Sequence, residues 1–184
     1  KFEFKLDSLL DPHSISTDCI SANRVIDKSL DYLVKQSDYA DNAAIRFLKL
    51  ATLDSLTGYY FVALNHENGH AFRAKEFGLR PSIHMCLFTP WFSKKDPYVK
   101  LIGPNPYSDG ALTYDERDYC FKEAMFYMGG LDADSVSINK LVNDNMLRGK
   151  MSYYDSLMYL IDKGHLACMF GGFPNVAEDP DSVD

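Results

Sequence analysis

Apolar residues recur every three or four positions along much of the chain, a spacing that predicts amphipathic helices. The first helix carries this repeat through Val25, Leu30, Leu33 and Val34, and the pattern fades near Ser37. Further helices are predicted over residues 41–53, 55–77, 115–128 and 152–164, and residues 132–147 are expected to continue the helix of 115–128 past Gly129-Gly130, where it can bend. The helix at 55–77 is the central element, because its apolar and polar stripes are continuous and Gly78 follows as a helix-ending residue.

Two parts of the chain depart from the helical pattern. Residues 2–6 alternate between apolar and polar, which predicts a short strand before the break at Asp11-Pro12. Five prolines between Pro81 and Pro106 exclude a long helix there, and residues 83–88 and 98–102 are predicted strands. The predicted fold class is therefore mainly α, an α+β domain with a small extended or β segment around residues 79–106.

The length of 184 residues suits one domain, which we place at residues 1–173, followed by an acidic, disordered tail at 174–184. A net charge of −7 argues against nucleic-acid binding, which relies on many basic residues. Without a run of 18 apolar residues we expect no membrane span and a soluble domain, either cytosolic or secreted and effector-like. The cysteines are too scattered for a zinc ribbon: Cys19, Cys86, Cys120 and Cys168.

Residues 66–70 carry the clearest chemical signal, because they match the pattern H-E-x-x-H. On a helix, His66 and His70 project from one face a turn apart, so both imidazoles can bind one Zn²⁺. Glu67 lies beside them and can act as the general base on a zinc-activated water. The alternative is that both histidines are partly exposed helix residues paired with carboxylates.

With this motif the chain resembles the zincin metallopeptidases, which implies a helical zincin-like domain. The longer run HENGHAFRAKEFG, at 66–78, looks like the H-E-x-G-H-A-x-x-A-x-x-x-G run of site-2-protease-like enzymes. The run MGGLDAD, at 128–134, is similar to that family's G-P-x-x-N segment, with Gly130 at the proline, Ala133 at the asparagine and Asp134 one position beyond. The resemblance implies a second helix packed against the metal helix, without implying intramembrane cleavage.

The third zinc ligand must lie elsewhere, because a metzincin would need glycine at Arg73 and histidine at Glu76. Tyr154-Asp155 is similar to the Y-D element of aspzincins, which implies that Asp155 is that ligand. A capping carboxylate in the run Ser152-x-x-Asp155 is the structural alternative. Other candidates from the sequence are Asp134, Asp132, Glu123 and His165.

These residues predict a zinc-dependent endopeptidase that cleaves a protein or peptide substrate, with Glu67 as the base. A zinc hydrolase of a non-peptide amide or ester would use the same groups, and activity on small amides distinguishes it. A non-catalytic binding module with a degenerate motif is the third possibility. That module would bind no metal or would close the site with a fourth protein ligand.

Overall fold

The computed structural model describes residues 2–5, 7, 11–37, 41–77, 80–84, 98–102 and 116–171. Its helices are α1 (Pro12–Lys35), α2 (Ala43–Lys49), α3 (Ser55–Glu76), α4 (Glu116–Arg148) and α5 (Tyr153–Gly171). Strands β1 (Arg80–His84) and β2 (Tyr98–Ile102) form a two-stranded antiparallel sheet beside α3. The mainly α class with a small β segment at 79–106 is therefore confirmed.

Helix α1 begins earlier than its apolar repeat indicates. Asp11 is its N-cap, and the Asp11 carboxylate accepts a hydrogen bond from the backbone N–H of Ser14 at 3.0 Å. Pro12 follows in the first turn, where its missing N–H costs nothing and its φ already suits a helix. The pair Asp11-Pro12 is thus a helix start.

The predicted strand at residues 2–6 is wrong for residues 2–5, which have no regular secondary structure. Their backbone groups are bound by side chains of α1 instead of by another strand. Ser21 accepts from the backbone N–H of Glu3 and donates to its carbonyl, and Asp18 accepts from the N–H of Lys5. Because α1 satisfies these groups, the segment can lie along the helix in extended form.

The predicted helix at 41–53 divides into α2 and a π-helical turn at Leu50–Asp54, which leads into α3. The N-cap of α2 is Asn42, whose side chain accepts hydrogen bonds from the backbone N–H groups of Ala44 and Ile45. The predicted continuation of the helix at 115–128 into 132–147 is confirmed, because both stretches, from Glu116 on, belong to one helix, α4. Glycine is tolerated inside a helix at modest cost when neighbouring helices pack around it.

The buried ammonium of Lys49 ties the π-helical turn to the bundle. It donates to Asp27 of α1 at 2.7 Å, to Asp54 of the turn at 2.9 Å and to the Tyr153 hydroxyl of α5 at 2.8 Å. Pairing of this kind is required because an unpaired buried charge costs several kcal/mol. The Tyr153 hydroxyl is therefore engaged in this structural cluster.

Helix α3 is the centre of the bundle and packs against α1, α4 and α5. The four helices each contribute one fully buried apolar side chain to a common core, and these are Ile20, Val62, Leu141 and Met158. At the other end of α3, its backbone approaches α4 at Gly69 and Gly129. A Cβ on Gly69 would meet the Gly129 carbonyl and, at 2.7 Å, the Ala133 methyl. The crossing therefore requires glycine.

We predict that Gly69→Ala lowers the free energy of unfolding by about 1–3 kcal/mol, because the methyl would force α3 and α4 apart. Gly164→Ala is the matched control, since a Cβ added at Gly164 in α5 would meet no atom within 4 Å. The control should gain about 0.5–1 kcal/mol from helix propensity. Urea unfolding measures both, and a Gly69→Ala protein as stable as wild type would contradict the close crossing.

Candidate metal centre

Helix α3 brings His66, Glu67 and His70 together, as the H-E-x-x-H spacing predicts. His66 is buried, and Glu67 and His70 are half-buried. The Nε2 atoms of the two histidines lie 3.0 Å apart. Nitrogen ligands of one tetrahedral zinc ion lie about 3.3 Å apart when each bond is about 2.0–2.1 Å. The two imidazoles are thus spaced as a pair of metal ligands.

The opposite nitrogen of each ring is engaged by an acceptor on α4. His66 Nδ1–H donates to Asp134 Oδ2 at 2.8 Å, and His70 Nδ1–H donates to the Phe126 carbonyl at 2.7 Å. The Phe126 ring also stacks on the His70 ring, with centroids 5.0 Å apart. Acceptors at Nδ1 select the tautomer whose Nε2 lone pair is available, which is the arrangement that supports metal-binding histidines.

In that tautomer two lone pairs face each other across 3.0 Å, which is unfavourable unless a cation or a proton lies between them. Burial lowers the pKa of His70, an effect that the carbonyl of Phe126 only partly offsets. Protonation is therefore the less favourable solution for His70 at neutral pH. A metal cation between the two rings satisfies both lone pairs, so the donor set fits Zn²⁺.

Asp134 links this pair to helix α5. Its side chain is fully buried, and Oδ2 also accepts from His165 Nδ1 at 3.1 Å. The rings of His66 and His165 meet edge to face, with centroids 4.6 Å apart. Among the described residues, two groups could hold a metal, His66–Glu67–His70 and His66–Asp134–His165. They share His66.

The charges of neighbouring carboxylates act on His165. The hydrogen bond that His165 donates to Asp134 raises the pKa of His165, and the charge of Glu67 adds to that shift. Glu67 therefore lies close enough to act on the same space as the three histidines. The second oxygen of Asp134, Oδ1, is buried without a hydrogen-bond partner in the described part of the chain. Such an oxygen is a further acceptor available to a cation or water.

Helix α4 can approach His66 because of Gly130. A Cβ at Gly130 would lie 2.5 Å from both Nε2 and Cε1 of the His66 ring. Any side chain there would displace the ring or separate α3 from α4. The Gly129-Gly130 pair lies within the run at 128–134, and it is at this pair that α4 lies directly against α3.

Asp155, the ligand implied by the aspzincin resemblance, is not brought to the histidines. Its carboxylate is fully buried and accepts from Arg24 Nε at 2.7 Å and Nη2 at 3.0 Å. Arg148 adds a third contact at 3.3 Å. Ser152 caps α5 by accepting from the Asp155 N–H. The aspartate therefore stabilises the α1–α5 packing, which corrects the sequence-based assignment.

The other four candidates for the third ligand differ in where the structure places them. Asp132 is bound to Arg73 of α3 at 2.7 Å and faces outward, half exposed. The side chain of Glu123 lies outside the described residues. Asp134 and His165 are the two candidates that the structure brings to His66. Sequence reasoning missed the Phe126 carbonyl, because a backbone acceptor leaves no mark in residue type.

Comparison with protein-family models, with curated proteins and with solved structures gives no match. Within the described ranges, no helix combines the length and the apolar character needed to cross a membrane. The geometry of the centre is therefore what a functional proposal must rest on.

A further carboxylate, Asp162, lies fully buried behind the site, one turn before His165 on α5. Burial, together with the neighbouring charge of Asp134, raises the pKa of Asp162 to about 7. The hydroxyl of Ser137 lies near enough to lower the pKa slightly, although the pair does not reach hydrogen-bonding geometry. Asp162 is thus neutral in mildly acidic solution and charged in alkaline solution.

We predict that Asp162→Asn makes the protein less sensitive to pH. Between about pH 4 and 7 the unfolded chain releases the Asp162 proton while the folded protein keeps it, so wild-type stability falls as pH rises. The variant lacks this loss. Its free energy of unfolding, relative to that of the wild type, should therefore be higher at pH 8 than at pH 5 by on the order of 2–4 kcal/mol. Urea unfolding at both pH values measures the difference, and a constant difference would contradict the raised pKa.

Proposed function

We propose that this protein is a zinc-dependent endopeptidase, with His66 and His70 as zinc ligands through Nε2. Its main support is the short distance between the two Nε2 atoms, 3.0 Å, in rings that Asp134 and Phe126 anchor at Nδ1. Neutral, anchored imidazoles at this spacing are typical of a transition-metal site. The i, i+4 spacing with Glu67 between them favours hydrolytic chemistry over a purely structural ion.

A structural zinc site has four protein ligands, whereas a catalytic site has three and an open position. For the third ligand we propose His165. Asp134 is bonded to the Nδ1 edge of His66, and the two nitrogens of an imidazole point in divergent directions. A carboxylate held at Nδ1 therefore orients the ring and leaves the Nε2 side to another group.

His165 is the remaining donor next to His66, and its own Nδ1 is held by the same Asp134 oxygen. That contact leaves its Nε2 available. The two possible metal-binding groups place His165 with His66 but not with His70. Binding of one ion by all three histidines therefore requires the His165 ring to turn towards His66 and His70. One carboxylate then orients two ligands, which is a common use of buried carboxylates beside zinc.

When bound, Zn²⁺ lowers the pKa of a coordinated water towards neutrality and polarises a carbonyl. Glu67, half-buried beside the pair, takes the proton from the attacking water. As the water oxygen bonds to the peptide carbon and the C–N bond breaks, Glu67 delivers that proton to the leaving amine. His66 and His70 hold the ion and take no part in the proton transfer, because their Nδ1 protons stay on the rings, held by Asp134 and Phe126.

We predict about one zinc per chain for wild type and for Glu67→Gln, and none for His66→Ala, by elemental analysis. Glu67→Gln keeps the shape of the side chain and removes the base, so hydrolysis should fall by about 10²–10⁴-fold. Cleavage of a peptide library, followed by mass spectrometry beside small amides and esters, separates a peptidase from another amide hydrolase. Retention of zinc by His66→Ala would contradict the assigned ligands.

The third ligand is tested by zinc affinity. His165→Ala should abolish tight binding, whereas Asp134→Asn should weaken it by about 10–100-fold, as expected for a partner of a ligand. Asp132→Asn is the matched control, since it makes the same change two residues away on the outer side of α4, and it should bind zinc normally. If Asp134→Asn abolishes binding and His165→Ala only weakens it, the two roles are exchanged.

A further inference from the structure

A buried polar network joins three helices immediately beside the metal centre. Asn65 of α3 donates through Nδ2 to the carbonyl of Ala133 on α4 at 2.9 Å. The other end of the same amide accepts from the hydroxyl of Ser16 on α1, also at 2.9 Å. All three residues are at most 1% exposed, so water cannot replace these bonds. We call this the Ser16–Asn65–Ala133 clamp.

The clamp lies in register with the metal centre. Two consecutive residues of α3, Asn65 and His66, bind two consecutive residues of α4, Ala133 and Asp134. The carbonyl that Asn65 binds belongs to the peptide unit that carries the Asp134 N–H. Fixing that peptide unit fixes the origin of the Asp134 side chain relative to the His66 ring.

We propose that Asn65 is a positioning residue of the metal centre and acts through Asp134. This inference rests on the proposed zinc site. The Gly69–Gly129 crossing brings the helices close, but contacts between glycines leave sliding along the helix axis weakly restrained. A directional amide-to-carbonyl bond restrains that sliding, and Ser16 holds the amide in the required orientation. The clamp thereby keeps the Asp134 oxygen at hydrogen-bonding distance from His66 Nδ1.

The alternative is that the clamp serves stability alone, since any buried amide network has that effect. Position argues for the additional role. Another buried amide, Asn145, donates to the Leu141 carbonyl within its own helix, so it links no two helices. Asn145 lies eleven residues beyond Asp134 on α4, about 16 Å along the axis. It therefore provides a matched control that loses a similar bond far from the histidines.

The experiment measures zinc dissociation constants for wild type, Asn65→Leu and Asn145→Leu, with thermal unfolding of each. Asn65→Leu should weaken zinc binding by about 10-fold, the lower end of the range for groups that support ligands. Asn145→Leu should leave zinc affinity unchanged, because the hydrogen bond that it removes lies within one helix and far from the histidines. Ser16→Ala is the milder second variant if Asn65→Leu fails to fold, and about 3-fold weaker binding is expected from the loss of one neutral hydrogen bond.

Asn65→Leu is then combined with Asp134→Asn, because groups that act through one another have non-additive effects. If Asn65 works through the Asp134 carboxylate, Asn65→Leu should cause no further loss of affinity in the Asp134→Asn protein. An equal loss in both backgrounds, or wild-type affinity in Asn65→Leu, would overturn the positioning role while leaving the zinc site intact. Failure of wild type to bind zinc would overturn the proposed function and this inference together.

Discussion

Two acceptors on helix α4, the Asp134 carboxylate and the Phe126 carbonyl, bind the Nδ1 sides of His66 and His70 and so determine which ring nitrogens remain available. With both Nδ1 atoms as donors, the neutral form of each ring presents the lone pair of Nε2 to the same small space. A protein interior does not hold two such lone pairs at 3.0 Å without a cation or a proton between them. The metal-binding proposal follows from that constraint.

The close packing of α4 against α3 is what brings these two acceptors to the histidines. α4 must lie very close to α3, which explains the glycines at 69, 129 and 130, where added side chains would strike backbone or the His66 ring. The close crossing is compatible with stability because the four-helix core lies elsewhere along α3 and the buried ion pairs join other elements of the bundle. Arg24 with Asp155, and Lys49 with Asp27, anchor the distant parts of the bundle.

Local features of the site could be predicted from the sequence, and features that depend on tertiary packing could not. The facing of His66 and His70 follows from helix periodicity alone, and α3 ends within one residue of its predicted limit. The proposed third ligand, His165, depends on which part of α5 meets α3. Asp155 and His165 both lie on α5, but ten residues separate them, about 15 Å along the axis. No periodicity indicates which of the two reaches the histidines.

The difference between local and tertiary features also explains where the structure departs from the other predictions. Asp11-Pro12 has the composition of a chain break, yet it starts a helix because the carboxylate caps the first turn. Residues 2–5 alternate like a strand, but hydrogen bonds from α1 side chains take the place of a partner strand. Asn65 precedes the motif and has no sequence signature, because its role requires Ser16 and Ala133 from two other helices.

Zinc K-edge X-ray absorption on the zinc-loaded wild-type protein reports the ligand atoms of the proposed site themselves. We expect a four-coordinate ion with nitrogen and oxygen neighbours at about 2.0–2.1 Å and the outer-shell scattering of imidazole rings. That outer-shell signal should decrease when His70 is replaced by Ala. A spectrum of sulfur neighbours at about 2.3 Å, or of water oxygens without imidazole scattering, would contradict the proposed site.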